Sequence, residues 1–272
     1  MSGTELSVTE IQALLLEMLR DFDLYCSGNG ITYFLSGGSL LGAVRHHGFI
    51  PWDNDVDIML PRDDYERLMR SVNENGIGDK YDIVTFANGK SRLPFAKMIN
   101  REVAVTENDT RMCDRLWIDL FPLDGLPEDE NKAKRLLDKA NRIKYRIALS
   151  MSIIGTGTSL FRVVFKIPAA LFHKVINSVL FRNIYTKQML KLCQTNGYDD
   201  AELIGGITWS CGAKELMRKE DLFPARRVRF EDISVMIPDN AEDYLKSMYG
   251  DYMKLPNEKD RTSHNFRAYP VK

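Results

Sequence analysis

The sequence predicts an α/β protein, an α+β mixed sheet broken once by a helical insertion. Three observations lead there. Apolar residues in the first half switch repeatedly between helical and strand spacing. The stretch Gly37 to Leu60, GGSLLGAVRHHGFIPWDNDVDIML, runs from a glycine-serine turn into a strand-like segment with acids at alternate positions. From about residue 128 to 199 strand signals cease and basic, helical sequence takes over. One domain over 1–272 is expected, with its core in 5–127 and 200–272 and the insertion at about 128–199.

Taken in order, Ser7-Val8-Thr9-Glu10 has the form of a capping box. Ile11, Leu14, Leu15, Met18, Leu19 and Phe22 follow at helical spacing until Gly28-Asn29-Gly30. Ile31 to Leu35 is β-branched and aromatic, a strand that delivers the chain to Gly37-Gly38-Ser39. A short helix over Leu40–His46 leads to the acidic strand, which Pro61 closes. Arg62–Asn73 reads as helix, and Tyr81–Phe86, Phe95–Ile99, Glu102–Thr106 and Leu116–Phe121 as strands. Pro122, Gly125 and Pro127 break that pattern, and Asp124 beside them reads as a turn residue. Beyond the insertion, Val228–Ile237 suggests a hairpin, Ala241–Tyr249 a helix and Pro256–Lys272 an irregular tail.

Net charge is −1, which predicts no general attraction to nucleic acid. The charge is uneven, however: thirteen bases and the single acid Asp138 lie between Lys132 and Lys191. Within that block Ser159–Phe181 is apolar with Arg162, Lys166, His173 and Lys174 spaced along it, which suits an anionic inner-membrane surface or a partner face. The cysteines at 26, 113, 193 and 211 form no CxxC pair, so neither a zinc site nor a disulfide framework is indicated. The stretch MSGTELSVTEI, without a basic region or a long apolar core, does not read as a secretory signal, and no run of eighteen apolar residues occurs. The expectation is a cytoplasmic protein, peripheral at the inner face of the cell membrane if the basic segment binds lipid.

The chemistry concentrates in the acidic segment. On a strand Asp53, Asp55 and Asp57 share one face, and like charges so placed oppose one another's ionisation. A hard divalent cation relieves this, and carboxylate oxygens suit Mg²⁺ or Mn²⁺. Asp119, alone in the apolar run Leu116–Leu120, offers a third ligand or a base. Gly37, Gly38 and Ser39 supply a close backbone approach and a hydroxyl for phosphate oxygens. Arg45 suits a phosphate clamp or a surface ion pair, and Lys97, in an apolar strand, calls for an anion, here assigned to phosphate.

The block GGSLLGAVRHHGFIPWDNDVDIMLPRDDYERL resembles the hallmark of the LicD family, within the nucleotidyltransferase-fold superfamily. Further matches follow in family order: Trp117–Asp124, Leu222-Phe223-Pro224, Phe230-Glu231-Asp232, Tyr249-Gly250-Asp251-Tyr252 and Arg261…His264. The resemblance implies a nucleotidyltransferase-like core and metal-dependent transfer of phosphocholine, or a related phospho-alcohol, from a CDP-activated donor. CDP-choline is the first expectation for that donor. The acceptor would be a hydroxyl of a cell-surface glycan, lipid-linked glycan or teichoic acid precursor, and CMP would leave. Carried over, Asp55 and Asp57 are metal ligands with Asp53 supporting, Asp119 completes the set or takes the acceptor proton, and His264 lines the site. Ribitol- or glycerol-phosphate transfer, NMP transfer with pyrophosphate release and a non-catalytic binding subunit are the alternatives. A choline head group would call for an aromatic cage, with Tyr33, Trp52, Tyr65, Trp117, Trp209, Tyr249 and Tyr252 as candidates.

Overall fold

A computed structural model describes residues 4–107, 113–151, 179–261 and 265–271. His264, the interruption at Gly155–Thr158 and the apolar-basic segment up to residue 178 lie outside the described residues.

Helix α1 (Val8–Gly28) begins at the capping box: the Ser7 hydroxyl accepts from the Glu10 amide at 3.3 Å, and the Glu10 carboxylate accepts from the Ser7 amide at 2.8 Å. Both bonds satisfy amides that a helix start would otherwise leave unpaired. Its stripe of Ile11, Leu15, Met18, Leu19, Phe22 and Cys26 is buried against the sheet. Each such side chain contributes about 1.5–3 kcal/mol on burial.

The predicted strand before the glycines narrows to β1 (Phe34–Leu35). Gly37-Gly38-Ser39 is the first turn of helix α2 (Gly37–His46), not a turn ahead of it. The acidic segment becomes strand only at its last acid, in β2 (Asp57–Pro61), so Asp53 and Asp55 sit on the approach to it. Helix α3 (Arg62–Asn75) follows, then β3 (Tyr81–Val84). The two strands expected at 95–106 are one, β4 (Ala96–Glu107), with a register shift between Asn100 and Ala104.

Strand β5 (Arg115–Gly125) runs straight through Pro122. Its pairing with β4 ends at Leu120, and pairing with β6 (Leu203–Gly205) starts at Asp124. Pro122 falls in that gap, where its missing N–H costs no ladder bond on that side. Asp124 is therefore a buried strand residue rather than a turn residue, and its carboxylate pairs with Arg62 at the start of α3. Burial demands such a partner, one the local sequence does not display.

The main sheet has the order β1-β2-β5-β4-β10, where β10 (Phe266–Pro270) is a strand inside the tail expected to be irregular. β2 lies parallel to β5, while β1–β2, β4–β5 and β4–β10 are antiparallel, so the sheet is mixed as expected. β3 pairs with β4 over residues 97–100, on the same edge that β10 takes over 103–107, and β7 (Met217–Arg218) extends β6. The expected hairpin is β8 (Arg226–Phe230) with β9 (Ile233–Ile237), turning at Glu231 with φ 54°.

Helices α4 (Glu130–Met151) and α5 (Val179–Cys193) pack together over a second apolar cluster that includes Phe95, Leu126, Leu137, Ile147, Met189 and Ile207. On α4 the buried residues recur at helical spacing, leaving Lys132, Arg135, Lys139, Arg142 and Arg146 along the exposed side. Helix α6 (Ala241–Tyr249) spans the predicted residues and is capped by Asn240. Among the described residues no helix is long and apolar enough to cross a membrane.

Candidate active site

The first turn of α2 and the start of β2 hold one another. The Ser36 amide donates to the Asp57 carbonyl and the Asp57 amide to the Ser39 hydroxyl, both at 2.9 Å. Ser39, expected to face phosphate, is buried and braces the backbone of an acid instead. Gly37 has φ +52°, and a Cβ there would stand 3.0 Å from Asp57 Oδ2; one at Gly38 would stand 2.8 Å from Asp53 Oδ2. The glycines thus let two carboxylates lean onto a helix N-terminus, whose partial positive charge favours them. From α1, the Gln12 amide donates to the carbonyls of Ile50 (3.2 Å) and Asp53 (2.8 Å), fixing the approach to the acids. From the hairpin, the Glu231 carboxylate accepts from the Phe49 amide at 3.0 Å.

Asp57, Asp119 and Lys97 stand opposite one another on β2, β5 and β4, and so share one face of the sheet. Lys97 Nζ donates to Asp119 Oδ1 at 2.5 Å, and the Trp117 indole N–H donates to Oδ2 at 3.1 Å. The anion that buried Lys97 requires is this carboxylate, and its ammonium also lies 4.4 Å from the Trp117 ring centroid. Burial pushes the Asp119 carboxyl up and Lys97 opposes it, while Asp55 adds a push in the same direction as burial.

Two cavities flank these acids. The larger, about 720 Å³, lies between α2 and residues 249–257 and is lined by Arg45, Trp52, Asp53, Tyr252 and Lys254. The smaller, about 270 Å³, lies between β5, residues 206–215 and α6, with Phe121, Trp209, Glu215 and Tyr244 in its wall. Asp55, Asp57 and Tyr249 line both. Gly38 faces the larger cavity and Gly37 the smaller. Arg45 Nη1 donates to the Tyr252 carbonyl at 2.6 Å, which holds its guanidinium at the rim of the larger cavity rather than in a surface ion pair. Trp52 is half-buried, with the Arg261 guanidinium 4.6 Å from its ring centroid.

Of the aromatic candidates, Trp209 and Tyr249 reach the smaller cavity, and Trp52, Tyr249 and Tyr252 the larger. Tyr33 instead bonds Asp23, and Tyr65 lines a separate cavity beside Arg62. Glu215 was not signalled by the sequence, because it sits in an aperiodic stretch between Gly212 and Met217. Burial pushes its carboxyl up to about 7, against hydrogen bonds from Cys211 that pull it down.

Hard oxygen donors on Asp55 and Asp57 suit Mg²⁺ or Mn²⁺. Among the described residues no three His, Cys, Asp or Glu side chains are gathered so as to hold an ion by themselves. That agrees with magnesium's habit of taking one or two carboxylates and completing its shell with water and substrate phosphate. The residues fit such an ion on those terms.

Residues 30–145 match the model of the LicD/FKTN/FKRP nucleotidyltransferase domain. Over that span the chain is similar to the LicD/FKTN/FKRP family. It is 29% identical over 271 residues to the lipopolysaccharide cholinephosphotransferase LicD of Haemophilus influenzae, covering 97% of each chain. It is 51% identical over 47 residues to the human ribitol 5-phosphate transferase FKRP, a match to 16% of this chain and 10% of that protein. Over 162 residues it is 36% identical to mannosyltransferase regulator 4 of Saccharomyces cerevisiae, 48% of this chain and 14% of that one. Asp53, Asp55, Asp57 and Asp119 fall inside the matched span and Glu215 outside it.

Proposed function

We propose that this protein is a metal-dependent transferase that moves a phospho-alcohol, phosphocholine first, from a CDP-activated donor to a glycan hydroxyl with release of CMP. The observation that carries this reading is the pair Asp55–Asp57 standing as the common wall of two cavities, as a centre between donor halves requires. Full-length similarity to a cholinephosphotransferase supports the choice of alcohol.

The larger cavity takes the CMP half. Its Arg45 and Lys254 meet phosphate charge, and Trp52 or Tyr252 offers a face to the base. Asp55 and Asp57 would hold a Mg²⁺ or Mn²⁺ ion, with Asp53 supporting; when bound, the ion offsets charge on the diphosphate. In line with the leaving CMP, the acceptor oxygen forms the new P–O bond while the bridging P–O bond breaks and its electron pair departs on CMP. The acceptor's proton passes to Asp119, or Asp119 supplies a further oxygen to the ion. Lys97 and Trp117 keep that carboxylate in one orientation in either role.

Product analysis tests the reading. Incubation with magnesium, CDP-choline and a glycan acceptor should yield CMP; with CTP as donor, pyrophosphate would mark nucleotidyl transfer and displace the proposal. The exposed basic stripe of α4 supports a second element, contact with an anionic membrane surface where lipid-linked acceptors reside. Flotation with anionic vesicles at low salt should carry the protein upward, and absence of flotation removes that element.

A further inference from the structure

We infer that the smaller cavity receives the alcohol end of the donor and is built for a quaternary-ammonium head group. The inference rests on the transferase reading above and adds the residues that choose the alcohol. Aromatic faces come from Phe121, Trp209, Tyr244 and Tyr249, and the polar wall sets four carboxylates, Asp55, Asp57, Asp119 and Glu215, beside the Ser36 hydroxyl and the Cys211 thiol. Among the described residues that line it there is no lysine or arginine.

A quaternary ammonium cannot donate a hydrogen bond, so a protein holds it by ring faces and nearby negative charge. A ribitol or glycerol chain is uncharged, so it gains nothing from the attraction of ring faces for a cation and must find a directional hydrogen bond for each buried hydroxyl. At about 270 Å³ the cavity suits a head group, while the nucleotide half needs the 720 Å³ neighbour. The walls are also fixed in place. Trp209 packs edge-on to Phe95 at 5.4 Å between centroids, and the Tyr244 hydroxyl lies 3.3 Å from Ser36 Oγ. Gly206 leaves room for the Glu215 carboxylate, since a Cβ there would stand 3.3 Å from Oε2. Two cations stand behind the lining: Lys97 pairs with Asp119 at 2.5 Å, and Lys144 is 3.9 Å from Cys211 Sγ and 5.9 Å from the Trp209 ring centroid.

Calorimetric titration with magnesium separates this inference from the reading beneath it. The ligands are CDP-choline, its neutral carbon isostere with a tert-butyl group in place of trimethylammonium, CDP-ribitol and CDP alone. CDP-choline should bind at least about tenfold more tightly than the isostere, about 1.4 kcal/mol. That preference should collapse in both Glu215→Gln and Trp209→Leu, with CDP affinity unchanged as the check on folding. Equal binding of the isostere, or CDP-ribitol binding as tightly as CDP-choline, overturns the inference and leaves the transferase reading standing. Failure of CDP and every donor to bind removes the transferase reading; quenching of tryptophan fluorescence by choline alone, lost in Trp209→Leu, would still support the cavity.

Discussion

The two cavities share Asp55, Asp57 and Tyr249 and diverge beyond them. The larger mixes cations with acids, Arg45 and Lys254 against Asp53 and Asp251, a mixture that suits the proposed diphosphate beside a divalent ion. The smaller carries acids and rings without a lining cation among the described residues. Their walls come from different parts of the chain: α2 and the segment after α6 for one, β5 and residues 206–215 for the other. On the proposed reading, the difference puts nucleotide binding and alcohol choice on separate elements. A substitution in one wall should therefore leave the other half's binding intact.

The largest test strikes what the cavities share. Asp57→Asn removes a charge from both walls while keeping the backbone bonds to Ser36 and Ser39. Magnesium-dependent CMP release should fall by about a hundred- to a thousandfold, the usual loss for one preorganised electrostatic contact. Undiminished turnover would show that the cavities do not meet at a catalytic centre.

Next in size is the floor beneath the acids. Lys97→Met leaves Asp119 without its cation in a site where Lys97 is 3% exposed and Asp119 14%. Thermal or denaturant unfolding should show a loss of about 3 kcal/mol, as expected for breaking one side of a buried pair. The double variant Lys97→Met/Asp119→Leu should recover most of it, because no charge is then stranded. A double variant as unstable as the single would mean that Lys97 stabilises through packing on Trp117 alone.

Much of this was legible in the sequence, and what was legible was local. The capping box of α1, the β8–β9 hairpin and α6 are each set by neighbours a few residues apart, so pattern sufficed. The acids at 53, 55, 57 and 119 were readable too, since charge inside apolar sequence is conspicuous. Non-local partners were not. Asp124 resembled a turn residue because Arg62 is distant in sequence, and β10 resembled a loop because its pairing with β4 crosses most of the chain. Lys97 announced a missing anion but could not name Asp119, since the register of β4 on β5 is invisible before folding. Glu215 had no signal at all, because only the return of residues 206–215 to β5 gives it a cavity to line.

Smaller effects distinguish the walls. Arg45→Ala should weaken CDP, CDP-choline and CDP-ribitol alike by about tenfold, within the range for a hydrogen bond to a charged group. Equilibrium titration with all three reads this directly. A loss confined to CDP-choline would place the alcohol in the larger cavity and reverse the assignment. Arg45 also anchors the Tyr252 carbonyl, so Arg45→Lys should restore part of the binding through charge while leaving that anchor weaker.

The finest test uses protons. Burial raises the Glu215 carboxyl to about 7, with Cys211 and Lys144 opposing that rise. Tyr244 and Tyr249 face the same carboxylate and stay protonated, their hydroxyls pushed up chiefly by burial. CDP-choline is a diphosphate diester with a fixed cation, so it carries nothing that titrates near neutrality. As pH falls through about 7, Glu215 takes up a proton and its attraction for the head group is lost. Affinity for CDP-choline should drop by about fivefold from pH 8 to pH 6 if the charge is worth about tenfold, while CDP-ribitol, a diphosphate diester without the cation, changes little. The stability contribution has the opposite sign: the raised folded-state value favours the protonated form, so it is fully present below 4.5 and lost as pH rises through about 7. Glu215→Gln should therefore flatten both profiles, with weaker CDP-choline binding at pH 8 and a fold relatively more stable there. A variant that flattens the stability profile yet leaves the binding profile unchanged would detach Glu215 from the head group, and the smaller cavity would lose its claim to select for charge.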